Sequence, residues 1–174
     1  QASSAAFGEV GTVQVNLQQV IPPTNDIFAN AEAITSLPFS ATSDITDAGI
    51  EPGEPQFCTF MNQTVWYSFT PTETMSVRAD MQGSAIQGLL NIYLATGTGI
   101  SNLQHLQCVN PGSSSTFLAE AGQTYYLQAG PAFWEIGSIQ VNLEQVIPPT
   151  NDNLANAEII ASLPFSGSID STRA

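Results

Sequence analysis

The chain has 174 residues, with 15 acidic side chains against two basic ones, Arg78 and Arg173, and a net charge of −13. That balance excludes nucleic acid and anionic lipid as partners, because both need Lys and Arg to displace counterions. Hydrophobic residues reach 43%, ample for a core, yet no apolar run approaches bilayer length, so no membrane insertion is expected.

Charged residues are only 10% of the chain, so Ser, Thr, Gln, Asn and Gly must dominate the surface. Such a surface suits an extracellular β-rich protein. Gln1 opens a Ser/Ala stretch without basic residues or an apolar block, so no signal peptide is read there.

In chain order, VQVNLQQV (residues 13–20) alternates as a strand does. The pair Pro22-Pro23 follows. It fixes φ, offers no N–H donors and makes a short semi-rigid spacer. NDIFANAEAI (25–34) has an Asn/Asp start and helix formers, which predicts one helical turn leading into a strand at LPFS.

SDITDAGIEPGEP (43–55) then gathers Asp44, Asp47, Glu51 and Glu54 in one irregular segment with two glycines. Hard cations take several oxygen ligands from such loops. We therefore expect calcium there, with Asp26 approaching from the hinge; the plain alternative is solvated loop acids and an N-capping Asp26. Asn62 opens an N-x-T sequon, a glycosylation acceptor if the protein is secreted into a glycosylating compartment.

Beyond it the period-two signal dominates. TVWYSFTP (64–71) is β-branched and aromatic and stops at proline. TMSVRADM (74–81) puts Met75, Val77, Ala79 and Met81 on one face. LLNIYLAT (89–96) is nearly continuous apolar strand. LQHLQCV, STFLAEA, TYYLQAG and SIQVNLEQV complete the set, separated by turn signals at GTG (97–99), NPG (110–112) and AGQ (121–123). The pattern predicts an all-β, jelly-roll-like β-sandwich.

QVIPPTND occurs twice, at 19–26 and 145–152. Gly11 aligns with Gly137, an offset of 126 residues, and about 29 of about 43 aligned positions are identical. The chain therefore divides into a tail strand and linker of a preceding repeat (1–24), one complete repeat (25–146), and the linker and head of a following repeat (147–174).

Cys58 and Cys108 leave two readings, a pair of buried thiols or one disulfide in an oxidising compartment. A single histidine, His105, gives little basis for a zinc site or for a serine triad, and no nucleophile motif stands beside it, so no catalytic residue is assigned. Trp134, Phe133, Tyr125 and Tyr126 could offer a sugar platform, but Gly8 stands opposite Trp134 in the other copy. Core packing or contact between repeats is the plainer role for them.

The order NDIFANAEAI–LPFS, GEP (53–55), TVWYSFTP, NIYLATG and AGQTYYLQAG resembles the bacterial prepeptidase C-terminal (PPC-like) repeats across 25–146. These are secreted β-sandwich modules, often in tandem or appended to secreted enzymes. The resemblance implies a Cys58–Cys108 disulfide, since such repeats carry cysteines at those two places. It also implies calcium near the N-terminal linker, as in similar clostridial collagen-binding segments. SAIQGLL and CVNPG depart from the pattern, where an acidic residue and an Asn-Asp pair are usual, and so put a metal site at those two places in doubt.

The expectation is a non-catalytic structural link of an extracellular array or filament. Its partners are copies of itself or neighbouring repeats, joined head-to-tail through terminal strands. The alternative is an adhesion module that binds carbohydrate or matrix.

Overall fold

The structure is a computed structural model, and it describes residue 12 and residues 14–169. The tail reading at 1–11 and Val13, and the head reading at 170–174, lie outside the described residues.

Among the described residues, nine strands form two sheets. They are β1 (Glu32–Ile34), β2 (Phe39–Asp44), β3 (Val65–Phe69), β4 (Met75–Asp80), β5 (Gly88–Ala95), β6 (Leu103–Val109), β7 (Ser114–Ala119), β8 (Tyr125–Pro131) and β9 (Ser138–Val146). One sheet runs β1-β3-β8-β5-β6 and the other β2-β9-β4-β7. Every pairing is antiparallel except β1 with β3. The fold is the all-β, jelly-roll-like sandwich expected from the alternation. Among the described residues, no helix is long and apolar enough to cross a membrane.

The core lies where the inner faces meet. Val65, Tyr67, Phe69, Leu90, Ile92, Leu127 and Ala129 of the five-stranded sheet pack against Val77, Ala79, Phe117, Ile139, Val141 and Leu143 of the other. Each set is every second residue of its strand, as the pleat dictates. Gly99, Gly112 and Gly122, from the three turn signals, all take positive φ. Arg78 of β4 reaches Glu144 of β9 at 3.0 Å, opposite it in the ladder.

Two expectations are corrected. The helical turn predicted in NDIFANAEAI is a short 3-10 turn at Phe28–Asn30, but Glu32–Ile34 is strand rather than helix. The parallel pairing with β3 and the burial of Ile34 outweigh local helix propensity. The second is Gln14–Val20, which carries no strand and is exposed. Its repeat equivalent, β9, is a strand because β2 and β4 flank it on both sides.

The outer face of the five-stranded sheet is not left to water. Residues 45–64 fold across it, which is why β3 is buried on both faces, Ser68 alone being half-buried. Gly130 of β8 permits the approach. A Cβ there would sit 2.5 Å from the Gln63 carbonyl oxygen and 2.7 Å from Met61 Sδ.

Candidate functional site: the covering loop and the terminal strands

Trp66, Asn91, Tyr93 and Gln128 alternate with core residues and so project from the outer face, all fully buried. Buried polar groups need partners, and the loop supplies them. Trp66 Nε1 donates to Glu54 Oε1 at 2.8 Å, and the Thr64 hydroxyl donates to the same oxygen. Gln128 Nε2 donates to the Pro55 carbonyl at 3.1 Å. Its Oε1 accepts from Tyr93 Oη at 2.8 Å and Asn91 Nδ2 at 3.2 Å. Burial pushes the Glu54 carboxyl above the usual range, against the hydrogen bonds from Thr64, the Glu51 backbone, Trp66 and Gln128.

The Cys58–Cys108 disulfide joins this loop to β6, with 5.9 Å between the Cα atoms. His105 lies beside it, its Nε2 3.5 Å from Cys58 Sγ and 3.6 Å from Cys108 Sγ. The imidazole stacks on Phe57 with centroids 4.8 Å apart and meets Tyr93 edge-on at 5.5 Å. Burial lowers its pKa, partly offset by a hydrogen bond with the Gln107 backbone.

The Asn-Asp pair of the repeated junction has a defined task in the complete repeat. Asn25 is buried and continues the pairing along β3. Trp66 N donates to its carbonyl at 2.9 Å, and its side-chain amide donates to the Trp66 carbonyl at 3.1 Å. Asp26 is no N-cap, since Ile27 holds that position and makes no side-chain cap. Asp26 instead accepts the Gly49 N–H at 2.7 Å.

The carboxylates expected to hold calcium have separate partners. Glu51 accepts the Phe28 N–H at 3.1 Å, and Glu54 Oε2 accepts the Glu51 N–H at 3.0 Å. Asp44 accepts Thr46 N–H and its hydroxyl, bonds that hold its exposed carboxyl below the usual range. Asp47 is exposed. Among the described residues, the one group of three His, Cys, Asp or Glu ligand atoms within 4.8 Å of one another is Cys58, His105 and Cys108. On sequence alone a single histidine offered little basis for a zinc site with the two cysteines; the HLQC spacing in β6 was the only local signal that they meet. Asn62 of the sequon is half-buried, and its Thr64 is fully buried.

The second feature is a seam present twice in the sequence and once in the sandwich. β2 pairs with β9 from Phe39↔Leu143 to Asp44↔Ser138. An open groove of about 430 Å³ lies along it, lined by Pro38, Phe39, Ser40, Gln140 and Asn142 among others. After the second copy of the junction, Leu154–Asn156 repeats the 3-10 turn of Phe28–Asn30, and Leu163–Pro164 is cis like Leu37–Pro38. Asp152 N donates to the Pro149 carbonyl at 3.1 Å, as Asp26 N does to Pro23. Yet burial differs sharply. Ile34 is 4% exposed and its counterpart Ile160 55%; Leu143 is 1% exposed and its counterpart Leu17 94%.

No known family's sequence profile matches the chain, and no curated protein matches it. Several solved structures resemble it. A periplasmic inhibitor of g-type lysozyme from Aeromonas hydrophila is 12% identical, over 66% of this chain and 95% of that one, with a TM-score of 0.44. The pre-peptidase C-terminal domain of collagenase from Bacillus anthracis is 13% identical, over 66% and 94%, with a TM-score of 0.42. A Yersinia pseudotuberculosis-derived mitogen is 12% identical, over 62% and 86%, with a TM-score of 0.42. Likeness at this level says nothing of activity.

Proposed function

We propose that the chain is a non-catalytic link of a secreted tandem-repeat array or filament, a PPC-like module whose repeats join head-to-tail through their terminal strands. One observation carries this reading. The tail and head sequences recur at an offset of 126 residues, with about 29 of about 43 aligned positions identical. Within 25–146 these sequences form β2 and β9 and pair with each other, so each tail strand has a head strand as its complement. The partner with the right side chains and register is the complementary segment of a neighbouring repeat, by strand addition. Such a contact is heterologous and does not close, so it propagates. The disulfide supports an oxidising, extracytoplasmic setting. Electron microscopy with light scattering on the purified chain tests the reading. Linear, concentration-dependent assemblies are expected, and dispersed monomers at every concentration would overturn it.

A second reading, an adhesion module for carbohydrate or matrix, has its own observation. Trp134 is 76% exposed and lies 5.8 Å from the exposed Phe60 ring, with Phe133 and Phe57 also exposed. Aromatic faces of this kind stack on sugars. Retention on a glycan or matrix array that is lost in Trp134→Ala supports it; no retention, or retention unchanged by the substitution, rejects it.

A further inference from the structure

We propose that reduction of the Cys58–Cys108 disulfide converts the clasp over the five-stranded sheet into a Cys₂His site for a thiophilic divalent cation of the Zn²⁺ class. The argument is geometric. A tetrahedral centre with Zn–N of about 2.0 Å and Zn–S of about 2.3 Å separates nitrogen from each sulfur by about 3.5 Å. His105 Nε2 already stands 3.5 Å from Cys58 Sγ and 3.6 Å from Cys108 Sγ. Two edges of the coordination tetrahedron are thus in place. Only the sulfur–sulfur edge must change, opening from a bond to a contact of about 3.8 Å.

The third ligand is also held. Its ring is fixed between the Phe57 face and the Tyr93 edge, and β6 places it opposite Tyr93 across a register shift in the ladder with β5. All three ligands are half-buried, which leaves a fourth position for water. The chain's net charge of −13 and lack of lysine favour a cation.

The chemistry balances with a dithiol as reductant. Its two thiols pass two electrons and two protons to the disulfide and leave as a cyclic disulfide. The cation then displaces one proton from each cysteine thiol, while the neutral imidazole contributes a lone pair. The consequence is a staple that survives a change of redox state. A metal takes over the loop-to-β6 connection when the covalent bond is lost.

Co²⁺ is the probe. Reduced, folded protein titrated with Co²⁺ should show thiolate-to-cobalt charge transfer and the visible bands of a tetrahedral ion, saturating at one ion per chain. The oxidised protein should show neither. His105→Ala should weaken binding by roughly an order of magnitude and alter the visible bands, because two thiolates alone define a poorer site. Should reduction unfold the chain, Co²⁺ or Zn²⁺ should restore the β-sheet circular dichroism. Equal binding by the oxidised form, the absence of a tetrahedral spectrum, indifference to His105→Ala, or failure to restore structure would each overturn the proposal.

Discussion

Replacing both cysteines with serine removes the covalent tie between residues 45–64 and β6 while changing side-chain volume little. The bridge closes 50 residues of sequence separation. Chain-entropy arithmetic for a loop of that length gives ~4 kcal/mol, by restricting the unfolded chain. At a few degrees per kcal/mol for a domain of this size, Tm should fall by roughly 10–15 °C. The loss need not be only global. The loop covers Trp66, Tyr93 and Gln128, so a loosened clasp would admit water to groups that are fully buried. Thermal melts of wild type and Cys58→Ser/Cys108→Ser by far-UV circular dichroism measure the first effect. Near-UV circular dichroism, which reports on Trp66 packing, measures the second. A loss below ~1 kcal/mol with an unchanged near-UV spectrum would refute the reasoning, since neither the entropy nor the clasp would then matter.

Three further outcomes are expected. Glu54 has a raised pKa in the fold, so its contribution is full below the unfolded value of about 4.3 and is lost as pH rises through the folded value. Glu54→Gln should therefore flatten the fall of Tm as pH rises above about 4.3, and an unchanged slope would contradict the assignment. Gly130→Ala forces the Gln63 and Met61 segment off β8 and should cost about 1–3 kcal/mol in urea denaturation. Calcium at Asp44, Asp47, Glu51, Glu54 and Asp26 is tested by chelation. A bound ion at a hundredfold its Kd contributes ~2.7 kcal/mol, so its removal lowers Tm, and an unchanged Tm excludes it.

The sandwich was legible because its inner faces follow a strict two-residue period. Met75, Val77, Ala79 and Met81 fall on the core side as the alternation requires. What could not be read was non-local. Glu32–Ile34 carries helix formers and becomes strand only because β3 lies alongside it. The covering loop has no period to announce where it lies. Its trace was indirect, in the bulky Trp66, which falls on the opposite face of β3 from Val65, Tyr67 and Phe69 and needs cover there. The acidic residues illustrate the same limit. Their clustering in sequence said nothing of the hydrogen bonds each makes in the fold, Asp26 with Gly49, Glu51 with Phe28, and Glu54 with Thr64 and Trp66. His105 looked solitary because its two sulfur neighbours meet it only when β6 and the loop come together.

The central claim is that a tail and a head from different copies re-form the β2–β9 seam. In the sandwich Ser40 stands opposite Asn142, and the repeat offset places Ser166 opposite Asn16. Chains carrying Asn16→Cys, mixed with chains carrying Ser166→Cys under mild oxidation, should give a disulfide-linked dimer, and the double variant a ladder of linear multimers. Gln14→Cys, two residues out of register on the same face, should cross-link poorly. No cross-link at Asn16 and Ser166, or equal cross-linking by the out-of-register control, would contradict the account.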